Sequence, residues 1–547
     1  MSGSATQRAS VVVIGKESSG KSQLIASLTG QWAYTANYRG STVACDIFPA
    51  DNVDLVDTPG ILLKSDSVTT ALALDKLQES EKVLLVVKAP DLANDLEELL
   101  PLLKGKRAIG VVTFWDKVPQ DGQSSEALEQ IGRDIDLFLI PVDSRHLTEN
   151  QRMAITTALD QDARLPIANR AIQTPWSVRP RLTLLEDRRF GALWGMFLLL
   201  APAVIAVWSA NNFADWLDPW IQAAVKRCVD WFAILPSPLK DVAIGKYGVI
   251  TMGPLLFVWA VPTVLVYALV VGVYKASGLL DRITVALHPA VHRIGITGRD
   301  LVRIVMGFGC NVPAVINSRC CSRATRDSTI SAIAFGAACS YQFGATLSVF
   351  AAVSRPYLAV PFLVYLVITT VIYMRLMTTR VSRTPFLVLS MDKPTFLEWP
   401  RASAIWAEAR GSIVQFFRRS MPIFLGITIA ASLLEWMGVI ARAATWIEPA
   451  MAAFHLPKET AVVVVFSCIR KDAILLLSDG PGFSNLRNGQ ILTAVYLAGV
   501  LMPCLVTALT ISYEKSMRFA LVLVVRQGAA ALVFSLILAW FANLFGI

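Results

Sequence analysis

The spacing of apolar positions changes once along the chain, near residue 190. Ahead of that point, short, largely apolar runs at 11–14, 53–56, 83–87, 108–112 and 137–141 are separated by longer polar stretches. Such short runs between turn residues read as buried strands. Strands alternating with helices predict an α/β domain with a doubly wound, mostly parallel sheet that binds its ligand at the strand C-termini. From Gly191 onward the apolar runs lengthen towards the roughly 20 residues that cross a bilayer. They predict spans at 191–210, 249–274, 328–353, 357–377, 421–440, 490–512 and 519–545, and hence an all-α polytopic domain.

Two further apolar stretches are interrupted. The first, 301–317, carries Gly307, Gly309 and Pro313 close together, a density of breakers that ends a helix. Unwound backbone at membrane depth is tolerated only where it lines a cavity or is buried in protein, and here Cys310 and Asn311 lie at the break. The second, 460–478, holds Arg470, Lys471 and Asp472 at its centre, where each charge costs about 2.5–3.5 kcal/mol on insertion scales. A packing kink at the first and snorkelling charges at the second are the simpler explanations. The alternative is a pair of re-entrant or broken helices facing an aqueous path.

Composition sharpens this division. Hydrophobic residues make up 54% of the 547 and charged residues 17%, below the roughly 25% charged of soluble domains. The net charge of +9 comes with no basic stripe interleaved with aromatics. It therefore reads as cytosolic-loop Lys and Arg of a membrane protein, and nucleic acid is not expected as a partner. The first ten residues, MSGSATQRAS, lack the apolar core of a cleaved signal peptide. The eight cysteines match neither a zinc-knuckle spacing nor a secreted disulfide framework.

The run at 11–14 feeds directly into Gly15-Lys16-Glu17-Ser18-Ser19-Gly20-Lys21-Ser22, a Walker A loop with a strand before it and a helix after. Its glycines let backbone N–H groups cradle phosphate oxygens. Lys21 supplies a point charge at the β- and γ-phosphates, and Ser22 a hydroxyl for Mg²⁺. Asp57-Thr58-Pro59-Gly60 follows the second strand as a D-x-x-G motif: Asp57 for Mg²⁺ through water, the Gly60 amide for the γ-phosphate. Thr42, between the two motifs, is the switch I candidate. Thr113-Phe114-Trp115-Asp116-Lys117 stands where G proteins carry N-K-x-D. Asp116 fits the guanine-edge acceptor, but Thr113 replaces the Asn, which leaves guanine against adenine open. Asp143 and Ser144 occupy the place of the weak fifth motif. No glutamine follows Gly60, where Ile61 and Leu62 stand instead, so slow intrinsic hydrolysis is expected.

A nucleotide domain needs cytosolic nucleotide, which puts the N-terminus inside. The loop 378–411 carries Arg380, Arg383, Lys393, Arg401 and Arg410 against Asp392, Glu398 and Glu408. The positive-inside rule places it in the cytosol only if 301–317 is re-entrant, and 460–478 then enters from the opposite side. Two broken elements of opposite orientation are how inverted-repeat transporters build a midplane site. Cys310, Cys339, Cys468 and Cys504 lie in or beside apolar runs, Cys504 directly after Pro503. Cysteine suits borderline or soft transition metals rather than Mg²⁺ or Ca²⁺, although a free thiol is also an ordinary small core hydrophobe.

Gly307-Phe308-Gly309-Cys310-Asn311-Val312-Pro313-Ala314, followed by Arg319, resembles the first gate motif of the bacterial ferrous iron transport protein B (FeoB) family. Cys339-Ser340 is similar to that family's second intramembrane cysteine motif, and Pro503-Cys504-Leu505-Val506-Thr507 to its late P-C-x-A-T motif. With the N-terminal G domain, the order of motifs matches along almost the whole chain. The resemblance implies a P-loop G domain over 1–150, a short helical linker over 151–188, and two inverted gate halves over 189–400 and 401–547. It implies Fe²⁺ transport across a bacterial inner membrane, controlled by GTP (or ATP) with Mg²⁺. Implied partners are the lipid bilayer, a second copy of the chain and a small cytosolic accessory protein. Ser18 departs from the Asn that recruits potassium in many members, and Arg470-Lys471-Asp472 from the commoner basic-acidic pair. The competing readings are a transporter of Mn²⁺, Zn²⁺ or an organic solute such as a nucleoside, and a membrane-anchored regulatory GTPase.

Overall fold

The computed structural model of the chain describes residues 9–16, 19–30, 45–50, 53–61, 68–159, 173–176, 178, 180–187, 189–245, 248–307, 310–336, 339–377, 396–415, 417–418, 421–479 and 486–546. Glu17, Ser18 and Thr42 lie outside the described residues. The chain divides into two compact units. One comprises Met1–Leu182, Arg319–Arg323 and Thr395–Gly411; the other holds Thr183–Ser318, Ala324–Pro394 and Ser412–Ile547.

The first unit is a six-stranded sheet: β1 (Ala9–Ile14), β2 (Asp46–Pro49), β3 (Val53–Asp57), β4 (Lys82–Lys88), β5 (Arg107–Thr113) and β6 (Leu139–Pro141), in the order β2-β3-β1-β4-β5-β6. Only β2 runs antiparallel to its neighbour. The central strands β1 and β4 are buried on both faces, which is why 11–14 and 83–87 read as continuous apolar runs instead of alternating. Helices α1 (Lys21–Thr29), α2 (Val68–Glu79), α3 (Leu92–Leu99) and α4 (Gly122–Asp134) lie between the strands, and α5 (Glu149–Leu159) follows β6. Two apolar clusters result. Val12, Ile14, Leu85 and Leu96 belong to one, and Val11, Val13, Leu24 and Ile155 to the other, so alternate residues of β1 point to opposite layers. This is the doubly wound, mostly parallel sheet expected from the strand spacing.

The second unit is helical: α6 (Gly191–Phe232), α7 (Leu239–Ile244), α8 (Val249–Ser277), α9 (Leu279–Val291), α10 (Gly298–Met306), α11 (Asn311–Asn317), α12 (Arg323–Gly336), α13 (Ser340–Ala352), α14 (Ala359–Met377), α15 (Ala402–Gln415), α16 (Met421–Trp436), α17 (Val439–Met451), α18 (Thr460–Ile469), α19 (Leu476–Asp479), α20 (Asn488–Val500), α21 (Leu505–Glu514) and α22 (Met517–Leu544). The first residue of α12, Arg323, and most of α15 fall in the other unit. Among the described residues, three helical stretches are long and apolar enough to cross a membrane: Pro356–Met377, Asn488–Glu514 and Met517–Leu544. A fourth candidate is the pair Val264–Ser277 and Leu279–Val291, bent by 86°.

The interruptions are more numerous than the sequence suggests. The stretch at 301–317 is broken between α10 and α11, and 460–478 after α18, as the breakers and charges predict. The run 328–353, expected as one span, is two helices, with Cys339 extended (φ −60°, ψ 156°) at the N-cap of α13. The run 490–512 is likewise divided, with Cys504 extended (φ −59°, ψ 151°) at the N-cap of α21. Pro503 explains that second division, since it has no N–H to continue the helix.

The two halves of this unit repeat each other. Gly278 in the left-handed region opens α9, whose eleventh residue is Pro289; a three-residue 3₁₀ turn and a left-handed Gly295 follow. Gly438 in the left-handed region opens α17, whose eleventh residue is Pro449; a three-residue 3₁₀ turn and a left-handed His455 follow. Every equivalent position lies 160 residues later. The offset carries on to the breaks, where Cys310 (φ −157°, ψ 131°) and Arg470 (φ −137°, ψ 125°) are both extended N-cap residues. Asn311 and Lys471 are therefore structural equivalents.

Candidate functional site

The phosphate loop is built by the β1–α1 junction. Lys21, the first residue of α1, folds back so that its ammonium donates to the carbonyls of Gly15 (3.0 Å) and Lys16 (2.9 Å). Gly20 holds φ +88°, a conformation a Cβ disfavours. A Cβ on Gly15 would sit 2.2 Å from the Val86 carbonyl oxygen, so the loop closes over β4 only with glycine there. The D-x-x-G segment is stitched to the same loop. The Thr58 hydroxyl donates to the Val13 carbonyl (2.6 Å) and the Ile61 N–H to the Gly15 carbonyl (3.0 Å).

Asp57 and Ser22 meet at the end of β3. The Ser22 hydroxyl donates to Asp57 Oδ2 at 2.7 Å, while Asp57 Oδ1 is buried with no hydrogen-bond partner among the described residues. Burial pushes the Asp57 carboxyl up to about 6, against the opposing pull of the Lys21 ammonium and the Ser22 hydroxyl. At neutral pH it is therefore mostly a buried anion with one unused oxygen. That donor set fits a hard divalent cation such as Mg²⁺.

The base loop follows β5. Phe114 takes a left-handed conformation (φ 58°), and Asp116 pairs with Lys117 at 2.6 Å. Thr113, read as the missing Asn of the base motif, is fully buried. Its hydroxyl lies 2.7 Å from the Ser19 carbonyl and 3.1 Å from that of Val87, so it ties the phosphate loop to β4 and β5. Ser144 flanks Gly20 and accepts from the Ser27 hydroxyl through its carbonyl (2.6 Å), and Asp143 Oδ1 accepts from the Arg145 N–H (2.9 Å). The nucleotide motifs thus meet around one loop, with Gly60 buried beside it. Replacing Thr113 with valine keeps the shape and removes the hydroxyl that donates to those carbonyls. It is expected to cost about 1–3 kcal/mol, read as a lower thermal midpoint of the nucleotide-free protein.

Sequence reasoning missed the cover on this loop. Glu398 pairs with Lys117 (2.8 Å) and with Arg145, Phe396 faces Phe114 with ring centroids 6.3 Å apart, and Arg401 donates to the Arg145 carbonyl (2.9 Å). Trp176, beyond the sheet, donates to the Ala89 carbonyl (2.9 Å) and meets Trp115 edge-on. In the sequence Glu398 reads only as a charge in a basic loop.

In the second unit the helix breaks converge. Asn311, Cys339, Gln342, Lys471, Gly499, Pro503 and Cys504 line a cavity of about 10 Å³, about the space of one water. Asn311 Oδ1 is buried and has no hydrogen-bond partner among the described residues, and Cys504 Sγ lies 3.0 Å from Thr507 Oγ1. A broken helix leaves its last carbonyls unpaired, and three buried side chains serve those of α20. Lys471 donates to Ala498 (3.1 Å) and Gly499 (2.8 Å), Gln342 to Gly499 (3.2 Å), and Gln527 to Val500 (2.8 Å). Gln527 also donates to Ala334 near the end of α12 (3.1 Å), so one amide serves both broken runs. Gln342 and Gln527, each an amide within a mostly apolar run, are the signal that sequence reasoning missed.

The remaining predicted pathway residues are placed differently. Cys310 caps α11 beside Asn311. The Cys468 thiol donates to the Val464 carbonyl within α18 (3.3 Å), and Cys468 does not line the cavity. Arg470 points away from it to the Thr428 hydroxyl (2.9 Å). Asp472 lies in the 3₁₀ turn Lys471–Leu475. Among the described residues no three His, Cys, Asp or Glu side chains are placed to hold a metal together.

Comparison with known proteins is consistent with both units. Residues 10–117 match a family described as 50S ribosome-binding GTPase, and residues 257–353 match the gate family described as nucleoside recognition. The chain is similar to the Fe(2+) transporter FeoB of Synechocystis sp., with 25% identity over 357 residues, 56% of each chain. It is also similar to that of Helicobacter pylori strain J99, with 21% identity over 354 residues, 56% of this chain and 54% of the relative. The chain thus spans about half the length of the curated relatives it matches. Among solved structures it is similar to NFeoB from S. thermophilus bound to GDP.AlF4- and K+, with 20% identity, 36% of this chain, 74% of that one and a TM-score of 0.25. It is likewise similar to the G domain of the T. maritima FeoB iron transporter, with 23% identity, 28% of this chain, 96% of that one and a TM-score of 0.23. A P-loop GTPase match, a gate match and relatives of one name in several species make the chain similar to FeoB proteins over about half of its length.

Proposed function

We propose that the chain moves Fe²⁺ across a bacterial inner membrane, with GTP bound in the first unit controlling a thiol-lined path in the second. The observation that carries this reading is the meeting of the helix breaks on one small cavity holding Cys339, Cys504 and the unpartnered Asn311 oxygen. Sulfur with a neutral oxygen suits a borderline metal over Mg²⁺ or Ca²⁺. Two thiols instead of a closed ligand set suit an ion that must leave again. A cavity of about 10 Å³ supports an ion over a nucleoside.

The gate halves over 189–400 and 401–547 are the proposed moving parts, and the 160-residue repeat supports that division. The loop at 396–401 belongs to the nucleotide unit, which supports a cytosolic position for it and so a re-entrant 301–317. In the nucleotide site, Lys21 and the loop amides would hold phosphates, and Asp116 the guanine edge. Ser22, Thr42 and Asp57 would hold Mg²⁺, which supplies charge neutralisation at the phosphates when bound. Ile61 is buried and pinned to Gly15, so the position after the D-x-x-G motif offers no group to orient water, which supports slow hydrolysis. A second copy of the chain and a small cytosolic accessory protein are proposed partners.

The test is anaerobic uptake into proteoliposomes of the purified full chain. Fe²⁺ uptake accelerated by GTP and not by ATP is expected. Uptake equal to that of empty vesicles would overturn the transport reading, and equal acceleration by ATP would overturn the guanine assignment.

A further inference from the structure

One cavity-lining group is unlike the others. Lys471 is buried, and among the described residues no carboxylate pairs with it; its donors go to the carbonyls of Ala498 and Gly499. An ammonium has donors only, so two carbonyls at 2.8–3.1 Å treat it as they would a partly dehydrated ion. Its equivalent in the first repeat is Asn311, which presents an unpartnered acceptor to the same cavity. The pseudo-symmetric site therefore has an acceptor on one side and a buried lysine amine donor on the other.

We propose that the Lys471 ammonium is a tethered cation occupying the ion position of this cavity, which a divalent cation fills only when Lys471 withdraws. The inference rests on the thiol-lined path proposed above. A dication and an ammonium a few ångströms apart in a cavity of this size repel each other by many times RT, even with generous screening. A lysine on a flexible four-carbon stem can withdraw without unfolding the 3₁₀ turn that carries it. Its departure leaves the Gly499 carbonyl, held then by Gln342 alone, on the cavity with Cys339, Cys504 and Asn311, an oxygen and sulfur set suited to a borderline metal. In this arrangement Lys471 keeps the path closed to ions and rejects monovalent cations that bind too weakly to displace it.

A purely structural role, capping α20, is the competing explanation, and Lys471→Gln separates the two because it keeps amide donors and removes the charge. Co²⁺ is titrated anaerobically into the purified full chain and read by the thiolate-to-cobalt absorption band. Lys471→Gln is expected to bind Co²⁺ at least ~10-fold tighter than wild type, and Lys471→Arg no tighter. Unchanged affinity in Lys471→Gln, with Cys504→Ser weakening binding, overturns the tethered cation and leaves the path standing. Unchanged affinity in Cys339→Ser and Cys504→Ser overturns the path itself. If Lys471→Gln does not fold, wild type gives the answer. A neutral methanethiosulfonate should modify Cys504, located by mass spectrometry, at least ~10-fold faster than a cationic one, and equal rates overturn the proposal.

Discussion

Lys21→Ala is expected to lower affinity for GTP at least ~100-fold, since charge-assisted hydrogen bonds contribute about 1.5–3 kcal/mol each and Lys21 would make more than one to phosphate. The loss has a second source in the structure. The Lys21 ammonium is one of two groups that oppose the effect of burial on Asp57, the other being the Ser22 hydroxyl. With the ammonium gone, the Asp57 carboxyl rises further above its present value of about 6, and more of it is protonated at neutral pH. A protonated Asp57 is a poor partner for Mg²⁺, so phosphate binding and cation binding fail together. Binding of a fluorescent GTP analogue to the purified chain checks this, with Fe²⁺ uptake in the same preparation losing its response to GTP. An affinity drop below tenfold would remove Lys21 from the phosphate site.

Much of the nucleotide unit is legible because its signals are local. The strand run at 11–14, the glycines at 15 and 20 and the acidic residue ending β3 each act through neighbours a few residues away in sequence or across one strand pair. Thr113 is the instructive exception. Read against a motif it is a defect in base recognition, while in the fold it is the tie between the phosphate loop and two strands. The cover formed by Phe396, Glu398 and Arg401 comes from more than 250 residues away, and no spacing rule connects it to Lys117 or Arg145.

The membrane unit is legible in its breaks and opaque in what the breaks share. Apolar run length finds helices but treats 328–353 as one span, because Cys339 and its neighbours carry no proline to mark the interruption. The repeat is harder still. Its equivalent residues differ in chemistry, Gly295 with His455 and Cys310 with Arg470, while agreeing in backbone conformation, and Asn311 opens an α-helix where Lys471 opens a 3₁₀ turn. The paired spacings of Gly278 to Pro289 and Gly438 to Pro449 were available in the sequence. Cys468 shows the opposite error: a thiol beside charged residues looks like a ligand, yet it donates to its own helix, as a core cysteine does.

Cys504→Ser is expected to reduce Fe²⁺ uptake at least ~10-fold without destabilising the fold, because serine removes the soft donor and is itself a favoured N-cap residue. Cys504 holds the extended N-cap position of α21, and Cys339 the matching position of α13. The thermal midpoint should therefore stay level or rise, which separates loss of a ligand from loss of structure. The two cysteines line the same cavity, so their effects should not add: the double variant should transport little less than either single one. Additive losses would mean two separate ion positions along the path instead of one shared between the repeats. Full Fe²⁺ uptake by Cys504→Ser would mean that its thiol only fills space. A retained rate with weakened discrimination against Mg²⁺ would place the ion at the oxygen side of the cavity, at Asn311 and the carbonyls of α20, with the thiols selecting the ion and not conducting it.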